Sequence, residues 1–328
     1  MELPAYLVYN LTNLPLDPTS NKLHVVQKTY VGKNYVYALE LINKDKDAYL
    51  VRADKPTSGY TVDFENGAHK MLLSGFGHGQ TLEYFSYNNK DYWWIVTKAG
   101  DNQTYHWGTQ IGRIQYVDNT SIDSYTQVTR LSSLNRANKN GTSFGTLLRV
   151  DAALNTDDTN GRKLLIFTES DDSPHKGQFA YYDNQKLNQA LDVAASGSNY
   201  ISCGSDEVLK AVIDSYEIDD VLHYMPNGSI QGLEFSNGQA IYVSGNQGPS
   251  NSSGTITLGT VPKIGKALWG KVPNNLTLYN TNWPNGYIEI EGLQLTGDYI
   301  YFGLSYHDES SLETTENRIY RVDKSYWD

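Results

Sequence analysis

Residues 230–245 read IQGLEFSNGQAIYVSG. Leu233 and Phe235 alternate with polar positions, Ser236-Asn237-Gly238 supplies a turn, and Ile241 and Val243 alternate on the return. A strand places every second side chain on one face, and Asn-Gly tolerates the left-handed backbone of a tight turn. The stretch therefore predicts an antiparallel hairpin. An amide, Gln231, stands at its head.

The same design occurs four more times. VQKTYVGKNYVYALEL starts at Val26, QTLEYFSYNNKDYWWIV at Gln80, DAALNTDDTNGRKLLIFTES at Asp151 and EGLQLTGDYIYFGLSYH at Glu291. Gln27 overlays Gln231, and Val31 overlays Phe235. The polar heads Gln27, Gln80, Asp151, Gln231 and Glu291 are spaced by 53 to 80 residues. Third strands are expected at 49–51, 111–117, 178–182, 255–258 and 318–322. Fourth strands are expected at 71–73, 126–131, 208–216 and 275–279. The fifth unit lacks a fourth strand at its end, and residues 6–10 can supply it. Leu187 and Leu191, four apart, predict one helix over 185–195.

Repeated four-stranded units, none able to bury both faces alone, predict an all-β fold, a five-bladed β-propeller closed by the N-terminal strand. The expected organisation is one domain over 1–328, with blades near 23–75, 79–133, 147–217, 229–280 and 288–328 plus 5–11. Two β-domains in tandem are the alternative, but no Pro/Gly/Ser-rich or charged linker divides the chain.

Composition narrows the function. Tyr (26) far outnumbers Phe (8), so many rings have an apolar body and a polar tip, as half-wet strands and sugar-binding surfaces require. The net charge of −11 argues against nucleic acid, which is held by neutralising phosphates with Lys and Arg. A single cysteine, Cys203, rules out an intrachain disulfide. No apolar run approaches a membrane span, and the N-terminal residues lack the basic and apolar regions of a signal peptide.

Propeller topology places the loops between second and third strands on the face where the inner strands begin. Four such loops are long, at 100–108, 170–177, 245–254 and 307–317, which marks that face as the working one. The five polar heads would ring the channel mouth there, with His78 of the run Gly75-Phe76-Gly77-His78-Gly79 beside Gln80. Buried polar groups need partners, so the ring implies trapped water, a cation or a ligand's hydroxyls. Tyr105, Trp107 and Trp283 are candidates for a sugar-stacking platform, or else Trp107 and Trp283 plug gaps between blades. A glycosidase needs two carboxylates about a scissile bond, and the ring offers Asp151 and Glu291. Residues 155–161, NTDDTNG, lack the distal Glu of a calcium loop, and the seven His show no zinc spacing. No metal and no cofactor are expected.

The motifs VVQK, YVYALEL, GHGQTLEYF, QIGRI, RLSSLNRA, SIQGLEF, AIYVS, EIEGLQL and SYH, in this order from about His24 to His307, resemble the helveticin J family, class III bacteriocins of lactobacilli. The resemblance implies a secreted or cell-surface protein that inhibits related bacteria, and it brings no established catalytic set. The expected partner is a bacterial cell-surface or wall glycan. A lectin-like or surface-layer-associated adhesin is the first alternative, and a propeller glycoside hydrolase the second.

Overall fold

The computed structural model describes residues 2–101, 105–157 and 161–327. Five antiparallel-dominated sheets form the blades of a β-propeller. The opening hairpin of each is the predicted one: Val26–Val31 with Tyr35–Ile42, Leu82–Tyr87 with Lys90–Ala99, Leu147–Leu154 with Lys163–Ser170, Gly232–Phe235 with Ile241–Gly245, and Ile288–Thr296 with Tyr299–His307. Third strands follow at Asp47–Asp54, Gly108–Ile114, Gly177–Asp183, Lys263–Ala267 and Thr314–Asp323. The expected fourth-blade third strand, at 255–258, is not in that sheet. Thr255–Thr257 pairs with Ser250–Ser252 in a separate hairpin inside the preceding loop. Two fourth strands start later than expected. A short helical turn, Tyr125–Gln127, precedes Thr129–Ser132, and another, Asp206–Leu209, precedes Val212–Ile218. The helix forms over Asn184–Ala195, and the Asp183 carboxylate caps its first turn by accepting from the Lys186 amide.

The ring closes as the sequence predicts. Tyr6–Thr12 pairs antiparallel with Thr314–Asp323 and so becomes the outer strand of the last blade. A further regularity was not visible in the repeats. In four blades the outer edge takes a fifth, parallel strand from the following blade. Thr61–Asp63 lies on Tyr6–Thr12, Thr120–Ile122 on Lys70–Leu73, Tyr200–Ser202 on Thr129–Ser132, and Glu2–Pro4 on Asn274–Tyr279. Each such strand covers an edge that would otherwise expose unpaired backbone groups. Among the described residues the third blade has no fifth strand. Trp269, from the short loop that would have carried one, instead packs edge-on against Tyr181 and Tyr216, and its Nε1 donates to Asp214 at 2.9 Å.

The apolar core is divided into five clusters, one in each gap between neighbouring blades. Leu39 and Leu50 meet Leu82 and Trp93, for example, and Phe167 and Phe179 meet Leu233 and Val243. The inner strands then converge closely at the axis. A Cβ on Gly232 would lie 2.7 Å from the Gly292 Cα, and one on Gly292 would lie 2.7 Å from the Gln27 carbonyl. Any side chain there would push the blades apart.

Candidate functional site

The five heads do meet at the axis. Gln27 and Glu291 sit where the inner strands lose register with their neighbours. Such bulges re-aim a side chain that would otherwise follow the regular alternation. Gln80 lies at the centre of the ring. Its Nε2 is 3.3 Å from Gln27 Oε1, 3.1 Å from Gln231 Oε1 and 3.4 Å from Glu291 Oε2. Its backbone N–H donates to Asp151 Oδ1 at 2.8 Å. His78 Nε2 stands 2.7 Å from Gln27 Oε1. That oxygen accepts, so Nε2 carries the proton and Nδ1 presents a lone pair. Burial, reinforced by the nearby Arg149 cation, holds the His78 pKa down at about 3, so the ring is neutral. Nδ1 of His78, Oε1 of Gln80 and Oδ2 of Asp151 are buried with no partner among the described residues.

Burial raises Asp151 and Glu291 above ordinary carboxylates, and for Glu291 the Glu289 carboxylate adds to the rise. Both side chains are 1% exposed. Both are bonded to Gln80, Asp151 to its backbone N–H and Glu291 to its side-chain amide.

One step further along the axis, Lys28 is enclosed. Its Nζ lies 2.8 Å from Glu83 and 2.7 Å from Glu234. Burial alone would discharge the lysine, but the two carboxylates outweigh it, and the ammonium is held charged. Burial and then the Glu83 charge push Glu234 upward, so it retains its proton far above the ordinary carboxylate range. The axis is thus a filled polar column rather than an open bore.

Above the ring is a cavity of about 820 Å³, lined by Tyr105, Trp107, His78, Arg149, Gln231 and Glu289 among others. Its wall has a simple rule. His78, Arg149 and Glu289 each stand two residues before a head. Gln231 Nε2 donates to Glu289 at 2.7 Å, and Arg149 Nε to Glu169 at 2.8 Å. Residues 106–108 lie along His78: its amide donates to the His106 carbonyl at 3.0 Å, and the Gly108 amide donates to the His78 carbonyl at 2.8 Å. This sets the Trp107 ring 3.9 Å from the His78 ring, with the Arg149 guanidinium 4.4 Å from the indole. Trp107 is therefore a braced wall rather than a bare platform, and Tyr105, 58% exposed, is the free ring beside it.

Trp283 lies elsewhere. It packs between the fourth and fifth blades, edge-on to Phe302 and Tyr320, and lines a separate cavity of about 170 Å³ with Pro262, Leu278 and Ile288. Cys203 is fully buried, and its thiol is pushed up by burial. Among the described residues no cluster of His, Cys, Asp or Glu is disposed to hold a metal, and no helix is long and apolar enough to cross a membrane. Of the loop 155–161, residues 158–160 lie outside the described residues. The residues that sequence reasoning passed over are Lys28, Arg149, Glu169 and Glu289.

Known proteins add an independent comparison. In solved structures, the chain path is similar to a thermostable family-43 glycoside hydrolase (10% identity, 94% of this chain and 90% of that one, TM-score 0.45). It is also similar to a GH43 endo-arabinanase from Bacillus licheniformis (11% identity, 92% and 96%, TM-score 0.44). In sequence, the chain is 27% identical over 326 residues to bacteriocin helveticin-J of Lactobacillus helveticus, spanning 91% of this chain and 92% of that protein. The profile of the bacteriocin helveticin-J family matches residues 5–325. The chain therefore belongs to the helveticin-J bacteriocin family.

Proposed function

We propose that this chain is an antibacterial protein acting outside the cell, and that its channel-mouth cavity binds a glycan of the target surface. The observation that carries the reading is the composition of that cavity. Tyr105 and Trp107 stand beside the amide of Gln231 and the carboxylate of Glu289, in a space of about 820 Å³. Aromatic faces take the C–H faces of a sugar, and amides and carboxylates take its hydroxyls; the volume lies in the range of ligand cavities. The unpartnered His78 Nδ1 offers one more acceptor for a hydroxyl.

The test is binding of purified wall polysaccharide, with growth inhibition of related bacteria measured alongside. The parent binds, and Tyr105→Ala and Trp107→Ala each bind roughly tenfold or more weakly, in line with losing one aromatic contact. Equal binding by both variants removes the mouth as the site. Binding by the parent that leaves cells growing removes the antibacterial role and favours adhesion through the same cavity.

A further inference from the structure

A second cavity, of about 580 Å³, lies on the second blade where Leu147 and Tyr200 of the third come against it. Its lining includes Lys98, Arg130, Ser132 and Ser133, and contains no carboxylate. In a chain of net charge −11 that is an unusual concentration of one sign.

Arg130 is the decisive residue. Only 6% of it is exposed. Its guanidinium lies 5.2 Å from the ring centroids of both Tyr125 and Tyr200. Nε donates to Gln110 Oε1 at 2.7 Å, and Nη1 faces the carbonyls of Thr126, Val128 and Asn199. Among the described residues Nη2 has no partner, and neither Arg130 nor Lys98 has a carboxylate. The three other buried cations contrast with it: Lys28 pairs with Glu83 and Glu234, Arg113 with Asp192, and Arg149 with Glu169. A buried charge without a counter-charge is costly, and aromatic faces offset only part of that cost. Lys98 and Ser133, also on the cavity, hold left-handed backbones, at φ 66° and 54°, which non-glycine residues rarely adopt.

We propose that this cavity binds a phosphate group carried on a sugar or polyol. The missing counter-charge of Arg130 and Lys98 would then come from the ligand. A planar guanidinium, a mobile ammonium and serine hydroxyls suit a tetrahedral oxyanion. The volume exceeds that of an inorganic ion and leaves room for the group that bears it. The tyrosine rings wall that room. Only the identification of the bearer with a wall polymer rests on the reading given under Proposed function; phosphate binding itself does not.

The probes are inorganic phosphate and glycerol 3-phosphate, with glycerol as the neutral control, followed by thermal shift and by NMR titration of the full chain. Both phosphates bind saturably and raise Tm by roughly 2 °C at tenfold excess over Kd, and glycerol does not. Lys98→Gln weakens the response roughly tenfold, as expected for losing a charge-assisted contact. Arg130→Gln abolishes it; should that variant fail to fold, Lys98→Gln decides. Trp107→Ala leaves the response intact. No saturable response in the parent, or an equal one in Lys98→Gln, overturns the inference. A response lost in Trp107→Ala but kept in Lys98→Gln would put the anion at the mouth and overturn it as well. If wall polysaccharide fails to bind while phosphate binds as stated, the glycan reading falls and this one stands.

Discussion

Two buried ionic groups decide how the axis behaves. Lys28 holds its charge between Glu83 and the protonated Glu234 where water does not reach. Removing it leaves this buried acid pair without its ammonium, so Lys28→Met should cost about 3–5 kcal/mol in urea unfolding. A cost under about 1 kcal/mol would mean the column is hydrated and the pairing incidental. Glu291 gives a pH signature. Its folded pKa is raised above the ordinary 4.5 by burial and by Glu289. The folded state thus holds this proton more tightly than the unfolded chain. Its contribution is present in full below about pH 4.5 and is lost as pH rises toward the folded value. Glu291→Gln mimics the protonated form and keeps an acceptor for Gln80. It should match the parent near pH 4 and exceed it by more than about 1 kcal/mol at pH 8. Parallel pH profiles would show that Glu291 is ionised in the fold. At this scale the sequence was half legible. The heads stood out because they recur. The wall residues Arg149 and Glu289 did not, since their types differ from blade to blade and only their offset of two residues is shared. Lys28 was hidden because a lysine beside Gln27 reads as a solvated strand residue until the bulge turns it inward.

Among the elements, the fifth strands bind four of the blades to the blade that follows. Glu2–Pro4 pairs with the outer strand of the fourth blade, and the next segment, Tyr6–Thr12, completes the fifth. Leu3 is fully buried within the cluster between those blades. Leu3→Ala should therefore cost about 2–5 kcal/mol, as for other buried Leu→Ala changes, measured by thermal or urea unfolding. A change within experimental scatter would mean that the first strand is not needed to hold the two blades together. Alternation identified all five inner hairpins, because two adjacent strands joined by a tight turn carry their own register. It failed where sequence neighbours are not spatial partners. Thr255-Ile256-Thr257 alternates, but in a surface hairpin, whereas Lys263–Ala267 carries Gly265 and little alternation and still forms the third strand. The parallel edge strands are three residues long and pair across blades, so no local pattern announces them.

Over the whole molecule, blade packing and polar axis divide the work. Five apolar clusters hold the ring, and the filled column of Lys28 and the heads gives the mouth cavity a fixed floor. Loops held above a rigid scaffold are where binding residues commonly lie. The repeats showed the ring. Which aromatic residues meet was not legible, because Trp107 meets His78 far from it in sequence and Trp283 enters a gap between blades.

The central claim, that the channel mouth binds a surface glycan, is tested most directly by a crystal structure with an oligosaccharide cut from the target wall. The account predicts sugar density between Tyr105, Trp107, Gln231 and Glu289. Density against Trp283 with an empty mouth would contradict it.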